Sequence, residues 1–245
     1  MDWTIWKKKY DQIQDRLNID MAKDQLSAQI LKNILVDFSL DHLRKMVRGK
    51  NCMVFGAGPS LDADLEKLRK NSGLEEVLIS ADGATSAVKK FKTPHIIVTD
   101  LDGKIEDQLE SWENGSWLVV HAHGDNIERI KEVVPRLDER VVGTTQIGEQ
   151  INLPNFGGFT DGDRAAFMAH ELGASKIYLA GMDLGKKIGV YSGKTNPEKK
   201  MIKLEICRDL LSWLSKDLGA PLYNITSGGE DIPHIPKVKY QKNDR

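Results

Sequence analysis

Cysteine is nearly missing from this chain, which contains only Cys52 and Cys207, far apart and each in apolar surroundings. Two thiols cannot staple a fold of 245 residues, and with no CxxC pair neither a structural zinc nor a thiol redox centre is expected. Long apolar runs are missing too. No stretch reaches the roughly 18 residues that mark a membrane span. The amino-terminal MDWTIWKKKYDQ has no apolar core of a secretory signal. A cytoplasmic protein with no membrane partner is expected. Charge of one sign is also lacking, since 35 basic residues face 36 acidic ones for a net charge of -1. Without a basic excess, nucleic acid is not an expected partner. The usual catalytic signatures are absent as well: no GxxxxGK[ST] phosphate loop and no GxSxG elbow.

What remains is an ordinary globular composition, 40% apolar and 29% charged, long enough for one large domain or one domain with an appendage. Residues 2–47 have neither glycine nor proline and carry helical spacing. Ile5, Trp6, Ile13 and Leu17 can share one face, as can Leu26, Ile30, Leu31, Ile34, Leu35 and Phe38. This spacing predicts an N-terminal helical segment over 1–48. From Asn51 the texture changes to short apolar runs that end in glycine or aspartate: 52–55, 77–80, 96–99, 117–120, 141–142, 177–180 and 222–225. Helical segments are expected between them at 60–71, 104–113, 125–134, 161–172 and 198–218. Runs without alternation suit strands buried on both faces, and their alternation with helices predicts a parallel sheet. The expected fold class is therefore α/β, a Rossmann-like doubly wound, mainly parallel sheet over 49–226. A C-terminal loop and tail follow over 227–245.

Such sheets bind ligands at the carboxyl ends of their strands. The residues there are Gly56 and Gly58, then Asp82, Asp100 and Asp102, then His121, His123 and Asp125, and last Asp183. One aspartate after a strand is an ordinary turn or cap residue; the same residue type after several strands is less easily dismissed. Phe55-Gly-Ala-Gly-Pro-Ser-Leu61 reads as a strand, a glycine turn and a helix start. Gly56, Gly58 and Ser60 could let a phosphate or ribose approach a helix N-terminus, or could form a tight turn and nothing more. Asp100 and Asp102 can offer two hard oxygen ligands on one side, as Mg²⁺ bound to nucleotide phosphates requires, although this spacing also occurs in solvated loops. His121 and His123 would suit a transition metal only with a further ligand that the neighbouring sequence lacks. Asp125 and Asn126 can cap the next helix. Thr160, Asp161, Asp163 and Arg164 open another: the carboxylates suit its dipole, or serve a metal while Arg164 grips a phosphate. Lys186, Lys187 and Lys194, then Lys199, Lys200 and Lys203, read as a phosphate-covering loop and helix, or as a solvated lysine face.

Taken together, FGAGPSL, SADGATSA, VTDLDG, HAHGDN, GFTDGDRAA and AGMDLG resemble the archaeal 6-hydroxymethyl-7,8-dihydropterin pyrophosphokinases, which are similar in their catalytic domain to thiamine pyrophosphokinases. The resemblance runs from about Asn51 to Asp183. It implies Mg²⁺-dependent transfer of diphosphate from ATP to a reduced pterin, with AMP released and the product feeding methanopterin or folate synthesis. On this resemblance Asp82, Asp100 and Asp102 hold the metal, while Asp125, Asp161 or Asp163 complete its shell or orient the hydroxyl. The partners are then the small molecules ATP and pterin, with a homo-oligomer left open. Phe156, Phe159 and Trp112 are candidates for a flat wall against the pterin, each with a core role as its alternative. The stretch after Ile225 is too short for the β-sandwich of the thiamine enzymes, which argues against thiamine. Two other classes fit parts of the pattern. A nucleotide-sugar transferase would use the DxD, and a non-catalytic dinucleotide-binding module would use the glycine turn and Asp82.

Overall fold

A computed structural model describes residues 1–35, 39–148, 153–193 and 196–242 of the chain. Seven strands, β1 (Asn51–Phe55), β2 (Val77–Ala81), β3 (Ile96–Thr99), β4 (Trp117–Ala122), β5 (Val141–Thr145), β6 (Lys176–Ala180) and β7 (Leu222–Asn224), pair in parallel in the order β5-β4-β3-β2-β1-β6-β7. Their apolar runs are continuous because both faces are covered, yet the period of two survives in the packing. Cys52 and Val54 enter one core cluster while Met53 and Phe55 enter the other. On β6, Ile177 and Leu179 go with the first pair, and Tyr178 and Ala180 with the second. The register sets Cys52 beside Ile177 and Met53 beside Tyr178, so side chains of one face line up across the sheet.

Strands β1 to β5 step outward in one direction; the chain then returns past β1 to lay down β6 and β7. In such sheets the crossovers are right-handed as a rule, so that the connections before and after the reversal tend to opposite faces. Leu61, Leu65 and Leu68 of α4 (Leu61–Lys70) accordingly pack on the Met53 and Phe55 side, with the short α5 (Thr85–Val88) beside them. The four residues of α5 are too few to show a helical period in the sequence. Helix α6 (Ile105–Glu113) follows β3, and α7 (Ile127–Val133) follows β4. Ala165 to Ala169 of α8 (Asp161–Glu171) and Leu210, Leu211 and Leu214 of α9 (Pro197–Lys216) pack on the Cys52 and Val54 side. The reversal between β1 and β6 opens the crevice at the strand ends.

The N-terminal segment folds as three helices, α1 (Trp3–Leu17), α2 (Met21–Ile34) and α3 (Asp41–Val47), the first two capped by Asp2 and Asp20. Trp6, Tyr10, Ile13, Ala28, Leu31, Leu43 and Val47 belong to the same core cluster as the sheet. The Trp6 indole N–H donates to Gln146 O at 2.8 Å, and Arg16 pairs with Glu205 of α9 at 2.8 Å. Two residues placed on the buried stripes, Ile5 and Leu26, are 47% and 54% exposed. The stripe of α2 is rotated because Asp24 and Ser27 are buried with hydrogen-bond partners, which displaces Leu26 outward. Phe38 lies outside the described residues. The C-terminal stretch packs back onto β7: Val238 N–H donates to Asn224 O at 2.8 Å, and Ile232, Ile235 and Tyr240 are buried. No described helix is long and apolar enough to cross a membrane.

Candidate active site

Three carboxylates meet at the ends of β2 and β3. Asp82, Asp100 and Asp102 each offer an oxygen, and these oxygens all lie within 4.8 Å of one another. Backbone geometry makes this possible. Leu101 holds φ +68° and Asp82 φ +41°, conformations that cost non-glycine residues of order 1–3 kcal/mol. The turn at Leu101 directs Asp100 and Asp102 to one side, and the buried Leu101 side chain anchors it. Asp82 is gripped through Oδ1, which accepts from Thr99 Oγ1 at 2.8 Å, Gln108 Nε2 at 2.8 Å and Gly103 N at 3.2 Å. A Cβ on Gly103 would stand 2.3 Å from Asp82 Oδ2, so glycine is required for this approach. Asp100 faces His123, whose Nε2 lies 3.1 Å from Oδ2.

Crowding the carboxylates perturbs them unequally. Burial would raise Asp100, but the His123 hydrogen bond and the charges of His123 and Arg164 hold it well below the usual carboxylate range. Burial and the charge of Asp100 raise Asp82, against the hydrogen bonds from Thr99 and Gln108. Asp102 is pushed up to about 8, by burial and then by the charges of Asp100 and Asp82. The carboxyl is crowded by its two neighbours while the residue as a whole remains exposed, so water screens part of that repulsion. Three hard oxygen donors whose mutual repulsion favours an added positive charge are what Mg²⁺ takes, and among the described residues no soft ligand joins them.

The glycine turn lines the same cleft, together with Asp183, Arg164, Lys187, Lys200 and Lys203. The loop after β6 folds over it: Ser192 Oγ donates to Ala57 O at 3.2 Å, and Tyr191 Oη reaches Asp62 at 2.9 Å. Ser60 turns its hydroxyl inward, 2.9 Å from both Asp64 and Asp183. Lys194 lies outside the described residues, and Lys186 does not line the cleft.

Helix α8 divides the two aspartates that the sequence left equivalent. Asp161 lines the cleft, 3.3 Å from Arg164, and is pushed well up by burial and the charge of Asp100, with Arg164 opposing. Asp163 is fully buried and caps the helix: its carboxylate accepts from Phe159 N at 3.0 Å and from Thr160 N and Oγ1 at 2.6 Å each. It is not among the three clustered carboxylates and takes part instead in the reciprocal Thr160–Asp163 capping box, in keeping with the helix-dipole alternative. Arg164 bonds Gln146 Oε1 at 3.2 Å through Nη2.

Arg164 also faces a second cleft, which shares Asp100, Phe159 and Lys203 with the first and is walled by the α1–α2 junction. Asp125 is exposed on its rim, away from the carboxylate cluster. Asn126 instead is buried and braces the loop between β4 and α7, donating to Asp100 O at 2.8 Å and to His121 O at 2.7 Å. Asp24 ties the N-terminal helices to it, accepting from Tyr10 Oη at 2.6 Å, Gln146 Nε2 at 2.6 Å and Gly124 N at 2.7 Å. His121 is buried and held neutral by burial and the Arg164 charge, with Nδ1 3.1 Å from Thr144 Oγ1. Of the aromatic candidates, Phe159 lines both clefts, Phe156 lies in the core, and Trp112 stacks under Arg140 on α6. Both cysteines are buried, with Cys52 pushed up to about 12 by burial.

Nothing in the sequence pattern marks Gln108, Asp24, Asp64 or Gln146. Each works on a partner distant in the chain; Gln146 follows β5, but three polar or glycine residues separate it from the apolar Val141 and Val142, and only the folded contacts single these four out.

The family described as 6-hydroxymethylpterin diphosphokinase MptE-like matches residues 27–189. The chain is 41% identical over 229 residues to the 6-hydroxymethyl-7,8-dihydropterin pyrophosphokinase of Methanothermobacter thermautotrophicus, covering 89% of this chain and 97% of the relative. It is 40% identical over 232 residues to the enzyme of the same name from Methanocaldococcus jannaschii, covering 87% and 96%. The Pyrococcus furiosus enzyme of that name is 40% identical over 228 residues, covering 89% and 96%. Among solved structures the chain is similar to the MAf glycosyltransferase of Magnetospirillum magneticum AMB-1, with a TM-score of 0.54 and 18% identity. That match takes in 91% of this chain but 39% of the glycosyltransferase, and it is a likeness of fold alone.

Proposed function

Because the chain belongs to the MptE-like 6-hydroxymethylpterin diphosphokinase family, we propose that it transfers diphosphate from ATP to 6-hydroxymethyl-7,8-dihydropterin, with Mg²⁺ required and AMP released. The observation that carries this reading is the cluster of Asp82, Asp100 and Asp102 in a cleft that meets a second one at Arg164. Two substrates must approach one phosphorus from opposite sides, and two joined clefts suit that need. ATP occupies the first and the pterin the second, where Phe159 offers a flat apolar wall.

The pterin hydroxyl oxygen attacks the β-phosphorus of ATP, its proton passes to solvent, and the bond from that phosphorus to the AMP oxygen breaks, AMP keeping the electron pair. Positioning and charge neutralisation dominate such transfers. Mg²⁺ held by Asp82, Asp100 and Asp102 would supply positive charge to the phosphate oxygens. Arg164 presents its guanidinium where both clefts can use it, and Asp161 fixes its orientation. His123 keeps Asp100 ionised and aimed. Lys187, Lys200 and Lys203 add charge along the cleft wall.

Incubation with ATP, Mg²⁺ and the reduced pterin tests this directly: AMP should appear in step with pterin diphosphate. ADP in place of AMP, or no pterin product, refutes it. Asp100→Asn and Asp102→Asn should each abolish turnover while leaving the circular dichroism spectrum unchanged.

A further inference from the structure

The Gly56–Pro59 stretch of the turn lines the first cleft, yet most of the backbone donors from Gly56 to Leu61 are already occupied. Gly56 N–H donates to Ala180 O at 2.9 Å, Gly58 N–H to Gly181 O at 2.8 Å, Ser60 N–H to Asp183 Oδ2 at 3.2 Å and Leu61 N–H to Gly58 O at 3.2 Å. Pro59 has none to give. The glycines also have a different purpose from phosphate approach. A Cβ on Gly56 would stand 2.6 Å from Met182 Sδ, and one on Gly58 would stand 2.1 Å from Asp183 Oδ2 and 2.4 Å from Gly181 O. Their bareness seats the exit of β6 against the exit of β1.

What is seated there is a carboxylate. Asp183 is 6% exposed, lines the cleft, and forms no ion pair among the described residues. A phosphate docked on this turn would meet a carboxylate that no cation contacts directly among the described residues. A hydroxyl would meet an acceptor, since an ionised carboxylate has acceptor capacity and no donor. Asp183 is also fixed before any ligand arrives. Its Oδ2 engages Ser60 N and Oγ, and the adjoining Asp64 accepts from Gly181 N and Ser227 N at 3.0 Å each.

We propose that this turn holds the ribose of the nucleotide, with Asp183 accepting a hydrogen bond from a ribose hydroxyl while the phosphates run toward Asp82, Asp100 and Asp102. The assignment rests on the reading of the first cleft as the nucleotide's.

Calorimetry with Mg²⁺ and ATP, 2′-deoxyATP or 3′-deoxyATP tests it. The unaltered protein should bind ATP about 10–100-fold more tightly than at least one deoxynucleotide, the usual effect of one hydrogen bond to a charged group. Asp183→Asn should lose that preference by weakening ATP alone. Its amide oxygen can still serve Ser60, leaving NH₂ rather than an acceptor for the ribose. Equal affinity of the unaltered protein for all three nucleotides overturns the assignment, whether or not the variant folds. So does an equal loss for all three in the variant, which would make Asp183 a cap of α4 and nothing else. Preference for ATP without pterin turnover would uphold the ribose site and remove the pterin reading; no ATP binding would remove both.

Discussion

Asp163→Ala would remove one carboxylate and leave three donors to find new partners: Phe159 N, Thr160 N and Thr160 Oγ1. Phe159 is buried, so its N–H bears the full cost of an unsatisfied donor, about 1–3 kcal/mol. Thr160 lines the first cleft, where water can reach its N–H and hydroxyl, so each contributes less. A loss of about 3 kcal/mol in all follows, including the helix cap. In a domain of this size that lowers the melting temperature by roughly 6–12 °C. Asp163→Asn keeps one carbonyl acceptor and should lose about a third as much. The assay is thermal unfolding paired with AMP release measured well below the transition. Large destabilisation with turnover largely kept in the Asn variant fits a capping role. A melting temperature within about 2 °C of the parent, with turnover down more than about 100-fold, would put Asp163 in the chemistry and refute the capping argument.

Gly103→Ala places a methyl 2.3 Å from Asp82 Oδ2 and should weaken Mg²⁺ binding by about 10–100-fold with little change in melting temperature, as titration with the metal would show. Asp24→Ala removes the acceptor of Tyr10, Gln146 and Gly124 and should cost about 3 kcal/mol in urea unfolding. It should also raise KM for the pterin more than for ATP; the reverse order would argue against the second cleft as the acceptor site. Burial would raise Asp107, but hydrogen bonds from Lys89, Ser86 and Lys104 hold it down to about 2. A lowered carboxyl stabilises the fold above its unfolded value of 3.8 and loses that effect as pH falls through about 2. Asp107→Asn should therefore cost up to about 2 kcal/mol at pH 7, shrinking to about half near pH 3 by denaturant titration. An undiminished cost at pH 3 would deny the ion pair with Lys89.

Much of the sheet was legible because its strands are short apolar runs closed by glycine or aspartate, a local pattern that needs no knowledge of neighbours. The strand β5 was underread: only Val141 and Val142 are apolar, whereas Gly143, Thr144 and Thr145 continue the pairing with β4. Helix α5 was missed because four residues cannot display a helical period. On α2 the apolar pattern misled, since Asp24 is buried by its partners rather than by hydrophobicity. Strand-end aspartates were visible as a set, and the resemblance to pterin pyrophosphokinases matched the family to which the chain belongs.

Sequence by itself determined that a parallel α/β sheet would form and that carboxylates would crowd one of its edges, because burial on two faces and the break after each strand are written locally. Only the tertiary structure decided which carboxylates share a site. Asp161 and Asp163 are two residues apart, yet the first turn of α8 sends one to the cleft and the other into its own cap. Ser60 and Asp183 are separated by 123 positions, yet the return of the chain from β5 to β6 brings them to 2.9 Å. Proximity of that kind comes from strand order and crossover direction, which depend on how the whole core packs rather than on any single segment.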